Sequence, residues 1–474
     1  MSGQLDVDIC VIGAGSGGLS VAAGASQMGA AVALVEKGDM GGDCLNTGCV
    51  PSKAMLAAGH VAQTVRDASA FGVNAELTSV DHAGVHGHVH EVIAAIAPND
   101  SQERFESLGV RVIRAAGRFA DANTLQAGDA TIRAKYFVVA TGSSAFVPPI
   151  EGLDGIDYFT NENIFDNKAA IDHLIVIGGG PIGMELAQAH RRLGAKVTVM
   201  ELLRLLPKDD PDLTKIVIDK VRAEGVSFHE GGRGLKLKKT AAGIIATCTT
   251  ANGPQKVTGS HVLIATGRKA NVDGLNLEAA GVRYSARGIE VDARLRSSNR
   301  RIHAIGDVAG PYQFTHMAAY QAGIVIRNIL FKLPARVDYS AVPWVTYTDP
   351  ELAHVGMSAA DAKAKGVDIR VLTWPFSEND RAQAERRTEG FIKVITTPKG
   401  RILGASIVGL HAGELIQPWV LAISRKLKIS AMAGMIAPYP TLAEISKRVA
   451  GSFYTEKLFS ERTQKLVRFL LRLS

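Results

Sequence analysis

Short apolar runs that end in glycine-rich turns occur twice along the chain. Hydrophobic and polar residues alternate over residues 6–12, where a glycine cluster, a helix of small residues and a second apolar run at residues 31–36 follow. The same order returns at residues 174–177 and ends with an apolar run at residues 197–200. Strands that alternate with helices in this way are typical of parallel sheets. The pattern predicts an α/β protein with two doubly wound domains.

Both glycine turns have the G-x-G-x-x-G spacing of dinucleotide-binding folds. Such glycines let the amides at a helix start approach a pyrophosphate, and an acid about twenty residues on can bind a ribose. Two turns of this kind predict two nucleotide cofactors. The predicted residues are Gly13, Gly15 and Gly18 with Glu36 for the first site, and Gly178, Gly180 and Gly183 with Glu201 for the second.

The second acid indicates which nicotinamide is used. A carboxylate at the ribose accepts hydrogen bonds from the 2′-OH of NADH and repels the 2′-phosphate of NADPH. Glu201 therefore favours NAD(H) over NADP(H). Arg204, three residues later, would offset this preference in part.

Two cysteines, Cys44 and Cys49, lie in the segment GGDCLNTGCVPSK, which follows the first dinucleotide-binding fingerprint. An ideal helix would hold their Cα atoms about 8.6 Å apart, whereas a disulfide needs less than about 7 Å. The backbone must therefore be tightened here, which the glycine and proline of the segment permit. The other two cysteines, Cys10 and Cys248, lie in apolar or strand-like contexts and are predicted to be structural.

With the preceding fingerprint, this segment resembles the class I pyridine nucleotide-disulfide oxidoreductases, a family that includes glutathione reductase, dihydrolipoamide dehydrogenase and mercuric reductase. The resemblance covers essentially the whole chain. It implies a redox-active disulfide in which Cys49 is the charge-transfer thiol near the flavin and Cys44 is the interchange thiol. It also implies that Lys53 lies near the flavin and pairs with Glu185. Helix N-termini at both cysteines would favour the thiolate form.

The resemblance implies three domains. Residues 1–148 and 271–338 would form a split FAD-binding domain, residues 149–270 an NAD(P)-binding domain, and residues 339–474 an α+β dimerisation domain. Two Ala-Thr-Gly turns would lie against the bound nucleotides. The aspartate of a Gly-Asp pair would reach the ribityl chain of FAD. The further predicted cofactor residues are Gly117, Thr141, Gly142, Ser143, Gly267 and Asp307.

The chain departs from the family at Asp43, where well-known members have threonine. As an N-cap, Asp43 would stabilise the start of the predicted helix that carries the cysteines. As a carboxylate beside Cys44, it would oppose thiolate formation. Both effects remain open at this point.

A second departure lies near the C-terminus. Disulfide reductases of the family carry His-Pro-Thr-x-x-Glu, whose histidine acts across the dimer as acid and base. Here the run begins at Tyr439 and ends at Glu444, and an unperturbed tyrosine, with a pKa of about 10, is a poor base. Mercuric reductase also has a tyrosine there, but this sequence lacks that enzyme's C-terminal cysteine pair and N-terminal metal-binding module. The alternative is that Tyr439 only packs at the dimer interface.

Two further segments are less specific. His82, His86 and His90 share one face of a predicted helix, a spacing that suits Zn or Cu, although solvated surface histidines are the favoured interpretation. Leu458 to Leu473 is predicted to be a basic amphipathic helix. Such a helix could touch an anionic membrane surface weakly, and packing on its own dimer is favoured.

Composition excludes several classes of protein. A net charge of +7 over 474 residues, without a nucleic-acid motif, indicates no nucleic-acid partner. No signal peptide or membrane-spanning run is recognised, which predicts a soluble, cytoplasmic protein.

The predicted function is that of a homodimeric, FAD-dependent oxidoreductase. It would pass electrons from NADH through Cys44–Cys49 to an unidentified acceptor: a disulfide, a metal ion or a quinone. Dihydrolipoamide dehydrogenase and mercuric-ion reductase are the alternatives within the family. A non-catalytic flavin-binding scaffold is an alternative of another class, although a scaffold has no use for a strained dithiol.

Overall fold

The computed structural model describes residues 3–473. The chain forms two compact units. The first unit contains the residues up to Arg204 and Val226–Val337, and the second contains Leu205–Gly225 and the residues from Asp338 onward.

Over residues 3–473, the strands belong to six sheets. In chain order they are β1 Gln4–Ile12, β2 Val32–Glu36, β3 Arg111–Arg114, β4 Gly117–Asp121, β5 Thr124–Ala127, β6 Ala130–Val139, β7 Ser143–Ala145, β8 His173–Ile177, β9 Lys196–Met200, β10 Val226–His229, β11 Arg233–Thr240, β12 Gly243–Thr250, β13 Gly253–Gly259, β14 His261–Ile264, β15 Arg268–Ala270, β16 Tyr284–Ser285, β17 Gly288–Ile289, β18 Ile302–Ala304, β19 Pro343–Thr346, β20 Glu351–Gly356, β21 Arg370–Pro375, β22 Phe391–Thr396 and β23 Ile402–Gly409.

The α-helices range from four to nineteen residues. They are α1 Ser16–Gln27, α2 Gly42–Asn46, α3 Cys49–Asp67, α4 His82–Ile96, α5 Gln102–Ser107, α6 Pro181–Arg192, α7 Pro211–Ala223, α8 Thr315–Ile329, α9 Ala359–Ala364, α10 Asp380–Ala384, α11 Ala412–Leu415, α12 Gln417–Ser424, α13 Ile429–Ala433, α14 Glu444–Leu458 and α15 Glu461–Leu470.

The first unit is organised around a seven-stranded sheet in the order β3-β2-β1-β6-β5-β4, with β18 also paired to β6. Strands β3, β2, β1, β6 and β18 are parallel. Since β2 and β6 flank β1 on opposite sides, the carboxyl end of β1 lies at the switch point where such sheets bind ligands. The first glycine turn follows β1 directly. Cys10 is fully buried in the core beneath this sheet, as its apolar context predicts.

A second parallel sheet in the same unit repeats this arrangement. Its order is β10-β9-β8-β14, so β9 and β14 flank β8, and the second glycine turn follows β8. Cys248 is buried in the core formed by this region. Two parallel sheets of matching order confirm the predicted α/β fold with two doubly wound parts.

The second unit has an antiparallel five-stranded sheet in the order β19-β20-β23-β22-β21. Its core contains Trp419 of α12, which is fully buried and donates a hydrogen bond from Nε1 to Ser446 Oγ of α14 at 3.0 Å. Helices packed on one antiparallel sheet give this unit the predicted α+β character.

The C-terminal segment differs from its prediction. Instead of one helix from residue 458, α14 continues to Leu458, and α15 begins after Ser460, whose hydroxyl accepts a hydrogen bond from the Thr463 amide. This N-cap separates the two helices. None of the residues of α15 is buried. Over residues 3–473, no helix is long and apolar enough to cross a membrane.

Candidate active site

The first glycine turn is shaped by two residues that cannot carry a side chain. Gly13 has φ of 106°, and a Cβ there would overlap the carbonyl oxygen of Ala140. A Cβ on Gly18 would overlap the carbonyl of Gly13, so the glycine lets α1 begin close to its strand. Gly15 is the N-cap of α1, and a Cβ on it would meet nothing within 4 Å. This open helix start therefore fits a pyrophosphate.

The second turn has the same construction. Gly178 has φ of 109°, and a Cβ on Gly183 would overlap the carbonyl of Gly178. Gly180 is the N-cap of α6, with open space beside it. These two glycine turns, at residues 13–18 and 178–183, are called nucleotide cradles below, and their presence in one chain fits two nucleotides.

The two predicted ribose acids are held at these turns by matching hydrogen bonds. Glu36 Oε2 accepts from the Ala14 amide at 2.6 Å, and Glu201 Oε2 accepts from the Gly179 amide at 2.7 Å. Each carboxylate is therefore fixed beside its helix start, where it fits a ribose hydroxyl.

The two motif cysteines lie on different helices. Cys44 is in α2, whereas Cys49 is the first residue of α3, with Gly48 as its N-cap. The backbone thus leaves the helical path between the two cysteines, at residues 47 and 48. Cys44 is half-buried, Cys49 is exposed, and both are free thiols in this structure.

The surroundings of the two thiols shift their pKa values in opposite directions. A hydrogen bond with Cys44, together with Thr315 and Lys53, lowers the pKa of Cys49 to about 6 despite desolvation. The hydrogen bond to Cys49 and burial raise the pKa of Cys44. These opposite shifts favour the thiolate at Cys49 over Cys44.

Thr315, the first residue of α8, contacts Cys49, and this contact was not predicted from the sequence. Its Oγ1 lies 3.4 Å from Cys49 Sγ. A hydroxyl at this distance can donate to a thiolate. The available signal was the position of Thr315 at a helix start shortly after the Gly-Asp motif.

Lys53 and Glu185 meet as the resemblance implies. Lys53 Nζ of α3 lies 2.9 Å from Glu185 Oε2 of α6. The carboxylate is buried, with a side chain 7% exposed, so its charge needs this partner.

Asp307 lies in a buried turn and is held by Ser143, whose Oγ donates to Asp307 Oδ2 at 2.6 Å. Burial raises the pKa of Asp307 above its usual range, although the Ser143 hydrogen bond and Arg268 oppose this. A carboxylate accepts hydrogen bonds, so this residue fits the hydroxyls of a ribityl chain.

The other predicted cofactor residues lie on nearby strand ends. Thr141 Oγ1 donates to the Asn271 carbonyl at 2.7 Å. Gly142 and Gly267 adopt positive φ values of 67° and 125°, so each turns the backbone away from its strand. Gly117 begins β4.

Asp43 does not cap the redox helix, because Gly41 occupies the N-cap of α2. Its Oδ1 instead accepts a hydrogen bond from Thr47 Oγ1 at 3.0 Å and lies 3.1 Å from Nη2 of Arg268. Arg268 follows the second Ala-Thr-Gly directly, and its role was not predicted.

In the second unit, Tyr439 is 69% exposed and donates from its hydroxyl to Asp380 Oδ2 at 2.9 Å. This hydrogen bond raises the pKa of Tyr439 above its usual value. Glu444, the expected partner, begins α14 and adds to that rise as a nearby negative charge. The raised pKa makes the Tyr439 hydroxyl a weaker acid than a free tyrosine, so it is poorly suited to deliver a proton near neutral pH.

The three helical histidines are spread along α4. The rings of His86 and His90 are 4.1 Å apart, and His90 Nε2 lies 3.8 Å from Asp166 Oδ1. Over the described part of the chain, no three His, Cys, Asp or Glu residues are grouped to hold a metal ion.

Known proteins resemble the chain over nearly its full length. Residues 7–322 match the family described as pyridine nucleotide-disulphide oxidoreductase, and residues 342–450 match its dimerisation domain. The mercuric reductase of Streptomyces lividans is 34% identical over 95% of this chain and 96% of its own length. The dihydrolipoyl dehydrogenase of Geobacillus stearothermophilus is 34% identical over 94% of this chain and 96% of its own.

A solved structure of similar fold is a Cu(II) complex of a mutant of RclA, the HOCl-induced flavoprotein disulfide reductase of Escherichia coli. It has a TM-score of 0.84, 25% identity, and coverage of 94% of this chain and 99% of that one. Together with the two nucleotide cradles and the dithiol, these matches identify the chain as a member of the pyridine nucleotide-disulphide oxidoreductase family, whose enzymes use FAD and NAD(P)H.

Proposed function

We propose that this enzyme passes electrons from NADH through FAD and the Cys44–Cys49 pair to a thiophilic metal ion of the Hg²⁺ type. The observation that carries the proposal is Tyr439, which stands where disulfide reductases of the family have a catalytic histidine. Its hydroxyl is engaged with Asp380, which raises its pKa. We propose that Tyr439 of the partner subunit faces the interchange thiol.

Proton balance separates the two kinds of acceptor. Reduction of a disulfide consumes a proton, since NADH, H⁺ and RSSR give NAD⁺ and two RSH. Reduction of Hg²⁺ releases one, since NADH and Hg²⁺ give NAD⁺, H⁺ and Hg⁰. A disulfide reductase therefore needs a residue that delivers protons near neutral pH, for which histidine is suited and tyrosine is not. A metal acceptor has no such need.

The other site residues receive roles by the same proposal. FAD, when bound, supplies two-electron transfer between the nicotinamide and the dithiol. Asp307 would hold the ribityl hydroxyls, and Lys53 would place a positive charge near the flavin, with Glu185 fixing its position. Cys49 would carry the thiolate next to the flavin, and Cys44 would meet the acceptor.

The relatives support both candidate acceptors to different degrees. Several relatives are named mercuric reductase, an enzyme that the family resemblance gives a tyrosine at the position of Tyr439, and a structural relative was solved as a Cu(II) complex. Relatives named dihydrolipoyl dehydrogenase are about as similar in sequence, so lipoamide is the competing substrate. The proton argument favours the metal ion.

The experiment is a comparison of acceptors at neutral pH with the purified flavoenzyme. NADH oxidation is measured with Hg²⁺, Cu²⁺, lipoamide, glutathione disulfide and a quinone, with Cys44→Ser as the matched control. We expect turnover with the metal ions that depends on Cys44 and little turnover with either disulfide. Rapid lipoamide reduction without metal reduction would replace this proposal with dihydrolipoyl dehydrogenase.

We also propose that NADH is the preferred donor, because Glu201 is fixed at the second cradle. Changing Glu201→Ala together with Leu203→Arg should raise the NADPH-to-NADH ratio of kcat/KM by about tenfold or more, since a charge repulsion becomes an attraction. Leu203→Arg alone is the control and should change the ratio less. A wild-type enzyme that already prefers NADPH would contradict the assignment.

The dimerisation domain makes the homodimer the expected assembly. We propose that α15, with its exposed apolar residues Leu466, Phe469 and Leu470, packs within that dimer. Membrane contact rests on the amphipathic pattern alone, and a single short helix binds a membrane surface weakly.

A further inference from the structure

The side chain of Asp43 lies inside the turn that joins the two redox helices. Its Oδ1 accepts from Thr47 Oγ1 at 3.0 Å, and a Cβ on Gly48 would lie 2.6 Å from its Oδ2. The carboxylate thus occupies the loop between Cys44 and Cys49. A negative charge there disfavours thiolate at both sulfurs.

Arg268 reaches this carboxylate from the end of the second nucleotide fold. Its side chain is only 11% exposed, and Nη2 lies 3.1 Å from Asp43 Oδ1. The guanidinium is itself fixed, because Nη2 donates to the Ser143 carbonyl and Nε donates to Ser143 Oγ, both at 2.7 Å. Its Nε lies 3.9 Å from Asp307 Oδ2. Arg268 therefore stands between the redox turn and the aspartate proposed to hold FAD.

A neutral contact completes the cluster. Asn161 Nδ2 donates to Asp43 Oδ1 and to the Thr47 carbonyl, both at 3.2 Å. Asn161 thus links Asp43 to Thr47 at the other end of the turn. Arg268 is the positively charged group that contacts the Asp43 carboxylate. Nothing in the family resemblance assigns a role to this pair, because the family has threonine at the position of Asp43.

We propose that Asp43 and Arg268 act as a positioning pair that sets the reactivity of the Cys44–Cys49 dithiol. Arg268 screens the Asp43 charge from the sulfurs and ties the turn to Ser143. Without Arg268, an unscreened carboxylate would lie beside both thiols and reduce the thiolate fraction. Without the Asp43 charge, Arg268 would have no such effect. The proposal rests on the family assignment and not on the identity of the acceptor.

A double-mutant cycle tests this in the full-length flavoenzyme. Each variant is reduced anaerobically with one equivalent of NADH and treated with iodoacetamide at pH 7, and alkylation of Cys44 is followed by mass spectrometry. Arg268→Met should slow alkylation about tenfold, as expected for a loss of about one pKa unit of thiolate stabilisation. Asp43→Asn should react at least as fast as wild type. The double variant should return to within about threefold of wild type.

Recovery of the alkylation rate in the double variant would indicate a charge effect. If the two substitutions only loosened the turn, their effects on the rate would add instead of cancelling. Asp67→Asn removes a carboxylate from the far end of α3 and should leave the rate unchanged. If Arg268→Met fails to retain FAD, Arg268→Lys with and without Asp43→Asn provides the same comparison, with a smaller decrease that Asp43→Asn again removes. Equal rates in Arg268→Met and wild type, or no recovery in the double variant, would overturn the proposal. Either result would leave the metal-ion assignment standing.

Discussion

Cys49→Ser is expected to abolish the long-wavelength charge-transfer absorbance that we expect NADH to produce in the wild-type enzyme. The pKa of Cys49 is lowered to about 6, so we expect Cys49 to supply the thiolate of the reduced pair. A serine hydroxyl does not ionise in this range. Turnover with any acceptor that needs the dithiol should fall to background, while FAD stays bound. Anaerobic titration with NADH, followed by absorbance spectroscopy, measures both effects.

The pH dependence of the charge-transfer band provides a second test of the assignment of the thiolate to Cys49. The thiolate is present above the pKa of Cys49 and is lost by protonation below it. The band of the wild-type enzyme should therefore weaken as the pH falls through about 6. Cys248→Ala, which removes a buried cysteine from a core, is the control and should retain the band. A band that survives Cys49→Ser would mean that the roles of the two thiols are reversed.

Tyr439→His is expected to raise disulfide reductase activity by up to about 10²–10⁴-fold, the usual contribution of general acid–base catalysis. An imidazole titrates near neutral pH and can deliver the proton that a dithiol product needs. Glu444 is available to orient the new ring, as carboxylates do for histidines elsewhere. Steady-state kinetics with oxidised lipoamide across pH 6–9 measures the gain.

Tyr439→Phe is the matched control, since it removes the hydroxyl and its bond to Asp380 while keeping the ring. Metal-ion reduction should be nearly unchanged in this variant because no proton has to be delivered. Wild-type lipoamide turnover that is fast and insensitive to Tyr439→Phe would show that residue 439 is not the acid–base position.

Local spacing made the nucleotide cradles predictable. Gly13 and Gly178 must adopt positive φ where a strand turns into a helix, so the sequence has to place glycine there. The same holds for the cysteine pair, whose spacing requires a break in the helix. These features depend on a few neighbouring residues.

Contacts between distant segments could not be predicted in this way. Asp43 and Arg268 are separated by more than two hundred residues, and Thr315 at the start of α8 contacts Cys49 at the start of α3 although the two residues are also far apart in sequence. Such pairs are set by tertiary packing, which residue spacing does not reveal. The break before α15 was different, because a serine such as Ser460 directly before a helical run is a local N-cap signal.

The oxidative half-reaction tests the proposed acceptor most directly. Enzyme reduced by one equivalent of NADH is mixed anaerobically with one equivalent of Hg²⁺ or with excess oxidised lipoamide, and loss of the charge-transfer absorbance is followed by stopped flow. Rapid reoxidation by Hg²⁺ with release of Hg⁰, and reoxidation by lipoamide that is slower by about 10²-fold or more, is the predicted result. Rapid reoxidation by lipoamide, with Hg²⁺ held as a dead-end complex that yields no Hg⁰, would contradict the proposed function.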